Sequence, residues 1–374
     1  MANNRIYYAI QQVVLGKSGG TNNVDKFAVH GLQTVGVTTN FNLEQVFEMG
    51  QLAIYQNVEN VPDVEVTLNK VLDGYPLIYV LATEKGTSVG SFVASGPTIP
   101  GRQNARCDVE LAVFSDQFTK ASGTPNQVMV CSGMYVSSVS YTFPVEGNFT
   151  EDVTLVGNNK IWKTTGMSSG LFNSEDSPLA TQGVARRQFL NMGACRFPNQ
   201  IPGIVSGVNN PIGNGSGYAV HFQNITVNCD FGRETINELG TFAPYHRYVT
   251  FPVEVTSEFE VLAISGDAIS ASESGYYYAT SLAAADAGTY SVASPSNTGC
   301  DYRFNLLSDT IFLETCEGTR IYLGSKNKLT SVNYTGGDTG GGNVTVTYSY
   351  TTFNDFAVAH SCGSYWSGVT PSGA

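Results

Sequence analysis

The sequence predicts an all-β protein, built as a β-sandwich or barrel with a short flanking α-helix and long loop insertions. Three observations predict this fold. The 374 residues include 40 Gly, 20 Tyr and 20 Phe beside many Val and Thr, a mix that favours strands and tight turns. Apolar and polar residues alternate in several segments with the period of a strand. Gly- and Asn-rich turns separate those segments at short spacing, as in sandwiches and barrels.

The N-terminal part is predicted to be almost entirely strand and turn. A first strand is expected at Arg5–Val14, and residues 27–72 continue in the same manner. In the segment after Pro62, alternation places Val64, Val66 and Leu68 on one face and Asp63, Glu65 and Thr67 on the other. A short apolar helix is expected at Leu77–Ala82, because Asp73 could cap it and Pro76 is tolerated in a first helical turn.

The clearest hairpin pairs Tyr135–Phe143 with Phe149–Val156 through the turn at 144–147. Strands are also expected at Asp108–Phe114 and Gln127–Cys131, and a turn at Gly157-Asn158-Asn159, because Gly and Asn supply the positive φ that turns need. Later strands are predicted at Tyr218–Cys229, Tyr248–Ile264, Thr310–Leu323, Lys328–Tyr334 and Asn343–Val358.

Two polar segments interrupt this strand pattern and are interpreted as insertions. Residues 164–216 are rich in Gly, Ser, Asn and Pro, with one short helical candidate at Ala185–Leu190, and residues 266–305 are rich in Ser, Ala and Gly. Such long irregular segments usually have a function of their own. The expected organisation is one sandwich formed by 1–163, 217–265 and 306–360, followed by a tail at 361–374. No internal repeat with a period of 20–50 residues is apparent.

Charge and composition limit the possible partners. The formal net charge is −12 and charged residues make up only 13% of the chain. An acidic balance without a Lys/Arg cluster argues against specific nucleic-acid binding but is compatible with a surface along which DNA slides. A surface this poor in charge suits burial against copies of itself, and it equally fits a secreted or viral β-protein with polar loops. No signal peptide and no run of 18 apolar residues are found, so synthesis in the cytosol and no membrane span are expected.

The sequence offers little chemistry, and no catalytic residue, cofactor or metal site is expected. The four histidines show no metal-binding spacing, and the seven cysteines contain no Cys-x-x-Cys pair, so free buried thiols are favoured over later cross-links. Gly-x-Ser-x-Gly occurs at 16–20 and at 166–170, but neither match leads into a convincing helix. The loop at 336–343 has one carboxylate, Asp338, which is too few for a calcium site.

Three stretches resemble the tail tube (major tail) protein family of tailed bacteriophages. They comprise residues 29–76 with Val61-Pro62-Asp63-Val64-Glu65, residues 139–151 with Tyr141-Thr142-Phe143-Pro144, and Gly324–Leu329 together with Tyr348–Asp355. The resemblance covers about half of the chain, in order. It implies a β-sandwich with a short helix on its flank, whose inner strands join those of other subunits in a ring; rings stack into a tube that conducts DNA.

The resemblance also implies a location and partners. The protein is expected in the phage tail, associated with itself and with sheath, tape measure, baseplate and tail terminator proteins, while DNA passes without specific binding. Six copies per ring are favoured over three copies that each carry two tube folds. The candidate lumen-facing carboxylates are Glu44, Glu48, Glu59, Asp63 and Glu65. The alternatives are a virion adhesin or carbohydrate-binding module using Tyr276–Tyr278, and, less favoured, a secreted hydrolase.

Overall fold

The prediction of an all-β fold is confirmed. A computed structural model describes residues 5–17, 26–73, 106–115, 124–164, 184–198, 201, 212–213, 217–218, 220–263, 309–337 and 342–360. Within these ranges the only helical elements are single 3-10 turns at Tyr8–Ile10 and Arg187–Phe189. The expected helix at Leu77–Ala82 lies outside the described residues. The strands are β1 (Gln11–Lys17), β2 (Lys26–Ala28), β3 (Leu32–Asn40), β4 (Leu43–Phe47), β5 (Ile54–Glu59), β6 (Asp63–Val71), β7 (Cys107–Val113), β8 (Gln127–Pro144), β9 (Thr150–Gly157), β10 (Asn159–Lys163), β11 (Ile212–Gly213), β12 (Gly217–Tyr218), β13 (Phe222–Asp230), β14 (Arg233–Ile236), β15 (His246–Val249), β16 (Glu254–Leu262), β17 (Phe312–Glu314), β18 (Thr319–Tyr322), β19 (Lys328–Thr335), β20 (Thr345–Phe353) and β21 (Ala357–His360).

Eight strands form one long antiparallel sheet, called here the main sheet. Its order is β19-β20-β16-β13-β8-β9-β6-β3, and every neighbouring pair is antiparallel. Strand β8 stands near the middle, with β13 on one side and β9 on the other. Among the described residues, β3 pairs only with β6 and β19 only with β20, so these two strands are the edges of the sheet.

Two smaller sheets form the second layer. One has the order β10-β8-β7-β1-β2 and shares the 18-residue strand β8 with the main sheet. The strand passes from one sheet to the other at Gly133, whose φ of +70° is unfavourable for residues with a side chain. There the Asp108 carboxylate accepts hydrogen bonds from the Gly133 N–H at 2.9 Å and the Ser132 hydroxyl at 2.8 Å. The other small sheet is β17-β18-β21.

The core lies between the main sheet and these two small sheets. Strand alternation aims one face of the main sheet inward, and the buried residues on it include the predicted Val64, Val66 and Leu68. Side chains from β1, β7, β17, β18 and β21 belong to the same apolar cluster, for example Leu15, Val109, Leu313, Ile321 and Val358. The predicted hairpin of Tyr135–Phe143 with Phe149–Val156 is also confirmed by the pairing of β8 with β9.

Several predicted elements are wrong in detail. Residues 157–159 do not form a turn. Strand β9 pairs with β8, and β10 continues in the same direction along β8. The strand expected at Tyr248–Ile264 is broken into β15 and β16 around Pro252, which has no N–H for the ladder. The first strand begins at Gln11, after a 3-10 turn, and the helical candidate at Ala185–Leu190 is one 3-10 turn. The expected boundaries at 164–216 and 266–305 stay predictions, since most of both segments lies outside the described residues.

Two hairpins project from the same end of the strands of the main sheet. The β4–β5 hairpin connects β3 to β6, and the β14–β15 hairpin connects β13 to β16. Strands β3 and β13 run in the same direction, because four antiparallel steps separate them in the sheet. The chain therefore leaves β3 and β13 at the same end of the sheet, and the ion pair of Arg247 with Asp63 joins the bases of the two hairpins.

Candidate functional site

The outer face of the main sheet is polar across its whole width. Residues paired across neighbouring strands lie on the same face, so the strand registers define continuous rows of side chains. One row crosses all eight strands and consists of polar residues alone: Thr34, Asn69, Asp152, Ser140, Asn228, Thr256, Thr351 and Lys328. Most of these side chains are short, so this row forms an even polar strip across the sheet.

The same face is strongly acidic. It carries seven carboxylates on four strands: Asp63 and Glu65 on β6, Asp152 on β9, Asp230 on β13, and Glu254, Glu258 and Glu260 on β16. Among the described residues of these rows, Lys328 on the edge strand β19 is the only basic side chain. The face therefore has a negative potential over much of its surface.

Of the five predicted lumen carboxylates, only Glu65 is an exposed residue within the acidic rows. Asp63 begins the same strand, but Arg247 pairs with it. Glu44 and Glu59 are exposed residues of the β4–β5 hairpin, and Glu48 follows β4 in its turn, so the structure places these three off the sheet. The five other carboxylates of the face were not among the predicted residues. Alternation in Glu254–Glu260 was the signal that could have found three of them.

Asp63 is the centre of a hydrogen-bond network at the base of both hairpins. Its carboxylate accepts hydrogen bonds from the Asn42 amide at 2.9 Å, from the Asn158 amide at 3.2 Å and from the Arg247 guanidinium. Arg247 also donates through Nε to the Asn158 side-chain oxygen at 3.2 Å. Burial raises the pKa of Asp63, but the hydrogen bonds from Asn42, Arg247 and Asn158 and the Arg247 charge outweigh it, and the pKa lies below its ordinary value.

Apolar side chains at the ends of both hairpins face solvent. On the β4–β5 hairpin these include Met49 and Leu52, which are fully exposed, and Phe47. On the β14–β15 hairpin Leu239 is fully exposed and Phe242 is largely exposed. Clustered exposed apolar residues of this kind mark surfaces that bury themselves against another protein.

The metal-ligating side chains in the described part of the chain are not clustered. No cluster of three or more His, Cys, Asp or Glu side chains there could hold a metal ion. Five of the seven cysteines are described, all as free thiols, and four of them are buried; burial raises the pKa of Cys131 to about 11 and that of Cys195 to about 12. Cys300, Cys362, Asp338, Tyr276–Tyr278 and the second Gly-x-Ser-x-Gly match lie outside the described residues. No helix among the described residues is long and apolar enough to cross a bilayer.

Comparison with known proteins finds similar structures but no related sequences. No protein-family profile matches the sequence. No curated protein is significantly similar to it. Similar solved structures come from contractile injection systems. A chain of the sheath–tube complex of an extracellular contractile injection system in its extended state is 12% identical, over 44% of this chain and 95% of that one, with a TM-score of 0.29. A chain of the tube-terminating cap of the anti-feeding prophage is 11% identical over the same shares, with a TM-score of 0.29. A chain of the anti-feeding prophage baseplate is 9% identical, over 45% of this chain and 100% of that one, with a TM-score of 0.31.

Proposed function

We propose that this chain is a structural subunit of a phage tail tube, which polymerises into stacked rings and forms a conduit for DNA. The observation that carries the proposal is the main sheet, with one face buried in the core and the other mostly polar and acidic. A wide sheet of this kind, with strands available at both edges, is suited to closing with other copies into a barrel.

The acidic face has the properties that a DNA conduit requires. Binding of DNA is driven mainly by cationic side chains that neutralise phosphates and release counterions. A wall of Ser, Thr and Asn with carboxylates such as Glu65 and Glu258 offers no such neutralisation, so the duplex would pass without being held. We assign the lumen to this face. Glu44, Glu48, Glu59 and Asp63 would then lie at the ring-to-ring end of the subunit.

The remaining expectations belong to the same proposal. The subunit would act without catalysis and without a cofactor, in the virion, and its principal partner would be itself. The apolar hairpin ends would be covered by the next ring. Tail sheath, tape measure, baseplate and tail terminator proteins would contact the outer wall or the ends of the tube.

Electron microscopy of the purified full-length protein tests the proposal. We expect hollow tubes or stacked rings in negative stain, with a central channel wide enough for a DNA duplex. Discrete monomers or small closed oligomers at every protein and salt concentration would contradict it, and would favour the adhesin or carbohydrate-binding alternative.

Charge reversal tests the assignment of the lumen separately. We expect tubes of a Glu65→Lys/Glu258→Lys variant to retain short duplex DNA at low ionic strength and to release it as salt increases, because lysines in the lumen neutralise phosphates. The matched control is Glu44→Lys/Glu59→Lys, which changes the same number of charges on the projecting hairpin. Equal DNA retention by both variants, or by neither, would contradict the assignment.

A further inference from the structure

We propose that the chain contains two copies of one four-stranded module, and that a second copy of the chain joins its β19 edge to the β3 edge of the first. We further propose that three chains close the ring, in place of the six copies favoured from the sequence. The number three rests on the proposed function, whereas the pairing of the two edges does not.

The strand order of the main sheet repeats. In the first half of the chain, β3, β6, β8 and β9 pair in the order β3-β6-β9-β8. In the second half, β13, β16, β19 and β20 pair in the order β13-β16-β20-β19. When the strands of each set are numbered by their order in the chain, both sets therefore have the same spatial order: first, second, fourth, third. Each set also carries a projecting hairpin between its first and second strands.

The residue registers repeat as well as the strand order. In both modules a bulge interrupts the first pairing at a glutamine, Gln33 in one and Gln223 in the other. A second bulge interrupts the pairing of the third and fourth strands, at Ser137 and at Thr330. When the modules are aligned on these bulges, all pairings between the second and fourth strands also coincide; for example, Leu68–Val153 corresponds to Phe259–Tyr348.

A similar contact lies next to the sheet in each module. An asparagine directly follows the fourth strand, at positions that differ by one residue in the alignment, and its side chain bonds to the residue just before the second strand. Asn158 donates to the Pro62 carbonyl at 2.9 Å, and Asn354 accepts from the Val253 N–H at 2.8 Å. The sequence keeps a trace of the duplication: residues 136–142 and 329–335 are identical at four of seven aligned positions.

The two modules are joined inside the chain by the pairing of β13 with β8, the first strand of module two with the third strand of module one. Strands β3 and β19 are the counterparts of these two strands, and they are the two edges of the main sheet. Each edge strand therefore corresponds to a strand that already pairs with a neighbour inside the chain. Pairing β3 of one chain with β19 of the next would repeat an interface that the protein is known to form.

Side-chain exposure indicates that the β19 edge has no such neighbour among the described residues. Tyr141 in β8 is 0% exposed, whereas its counterpart Tyr334 in β19 is 52% exposed. On the other edge, Val37 is only partly buried, whereas its counterpart Val227 is 0% exposed. Burying these apolar groups against a second copy gives the edges a reason to associate beyond the ladder of hydrogen bonds.

The internal pairing predicts the register between chains. Val227 pairs with Tyr141, Asn228 with Ser140 and Cys229 with Val139. The corresponding pairs between chains are Val37 with Tyr334, Thr38 with Asn333 and Thr39 with Val332. The interface is heterologous, because different edges meet, and its repetition closes a ring when the rotation between neighbouring chains divides a full turn.

The number of chains follows from the strand count and the width of DNA. Each chain adds eight strands, so a closed barrel has a multiple of eight. With strands about 4.8 Å apart and tilted by about 40°, sixteen strands give a backbone diameter of about 32 Å and twenty-four give about 48 Å. The side chains that line the channel reduce each diameter by about 10 Å, because each of the two opposite walls contributes about half of the spacing between packed sheets. Two chains would thus leave about 22 Å, hardly more than the roughly 20 Å width of a duplex, while three would leave about 38 Å, enough for hydrated DNA.

Cysteine cross-linking of the full-length chain tests the edge pairing. The double variant is Thr38→Cys/Asn333→Cys, in a background where Cys300, Cys316 and Cys362 are serine. Both target residues are exposed, and the proposed register places them opposite each other, with Cα atoms about 5 Å apart. The matched control is Thr34→Cys/Asn333→Cys, in which the exposed Thr34 lies about 13 Å further along the strand. Assembled protein is treated with a short thiol cross-linker and its mass is measured under denaturing conditions.

We expect two-chain and three-chain products from the Thr38 variant, with the closed three-chain product as the largest, and at least tenfold less product from the control. Products of four or more chains would overturn three-chain closure. Equal cross-linking of both variants, or none in either, would overturn the pairing of β3 with β19. Tubes that form without this cross-link would contradict the inference but agree with the proposed function. Cross-linked three-chain rings that never stack would agree with the inference but contradict the proposed function.

Discussion

The Arg247 guanidinium and the Asp63 carboxylate form an ion pair across 184 residues of sequence. Arg247 belongs to the β14–β15 hairpin, and Asp63 follows the β4–β5 hairpin. Because each hairpin is the insertion of a different module, this pair fixes the bases of the two projections relative to each other. Asn42 and Asn158 complete the network from two further positions.

The Asp63 network is expected to make stability depend on pH in the acid range. The lowered pKa means that the folded state favours the ionised carboxylate, so its contribution is present above the ordinary value of about 3.9 and is lost as pH falls through the folded-state pKa. We expect Asp63→Asn to lower the free energy of unfolding by about 1 kcal/mol at pH 7, because the carboxylate is half-exposed. Urea unfolding measures the difference, which should shrink below pH 4. A difference independent of pH, or an equal effect of the hairpin control Glu59→Gln, would contradict this.

Tyr141 and Tyr334 occupy corresponding positions and provide a matched pair of mutations. The buried Tyr141 hydroxyl donates to the buried Glu151 carboxylate at 2.6 Å, so Tyr141→Phe should destabilise the unassembled subunit by about 1–3 kcal/mol. Tyr334→Phe removes the same atom from an exposed side chain and should change stability by less than about 0.5 kcal/mol. Denaturant unfolding of both variants below the concentration of assembly tests the contrast. Equal effects would show that the two positions are not in the environments described.

The exposed hairpin ends are expected to act in assembly and not in folding. Met49→Ser/Leu52→Ser removes two fully exposed apolar side chains, so the melting temperature of the subunit should not change. Self-association should fall markedly, as measured by sedimentation velocity. Gln56→Ser/Asn57→Ser, at exposed polar positions of β5, is the control and should assemble normally. Full assembly of the Met49/Leu52 variant would remove this hairpin from the interface.

Glu317 is expected to oppose folding at neutral and higher pH. This side chain is 4% exposed, in the turn between β17 and β18, and burial raises its pKa to about 7. Since the folded state prefers the protonated acid, its stabilising effect is complete below about pH 4.5 and is lost as pH rises through 7. Glu317→Gln should therefore be more stable than the wild type at pH 8, by about 1–3 kcal/mol, and equal to it near pH 4. A gain that is the same at both pH values would refute this explanation.

Local patterns in the sequence predicted individual strands well and their connections less well. Alternation identified the inward residues of β6, and Gly/Pro turns identified the β8–β9 hairpin, because both signals act within ten residues. The turn expected at 157–159 failed because Asn158 bonds to Pro62, 96 residues away, and the chain remains beside β8. The composition of residues 157–159 is typical of a turn and carries no sign of this distant contact.

The duplication could not be found by looking for short periods. Its two copies lie about 190 residues apart, and the clearest trace is the seven-residue match at 136–142 and 329–335. Strand order and register are retained over all eight strands while most side chains differ, since many apolar residues satisfy the same inward position. The acidic face was missed in part for the same reason: Asp152 and Glu258 share a surface only after strands from both halves are placed in one sheet.

The covalent connection between the two modules has a kinetic consequence. Two modules on separate chains must find each other by diffusion and give up translational freedom when they dock. Here they meet at the effective concentration set by the connecting polypeptide, so that contact forms as the chain folds. Ring closure by three chains would have a lower reaction order than closure by six separate modules, and assembly would continue at subunit concentrations where a six-body reaction slows. Fusion of the two modules would thus favour rapid tube growth from a dilute pool.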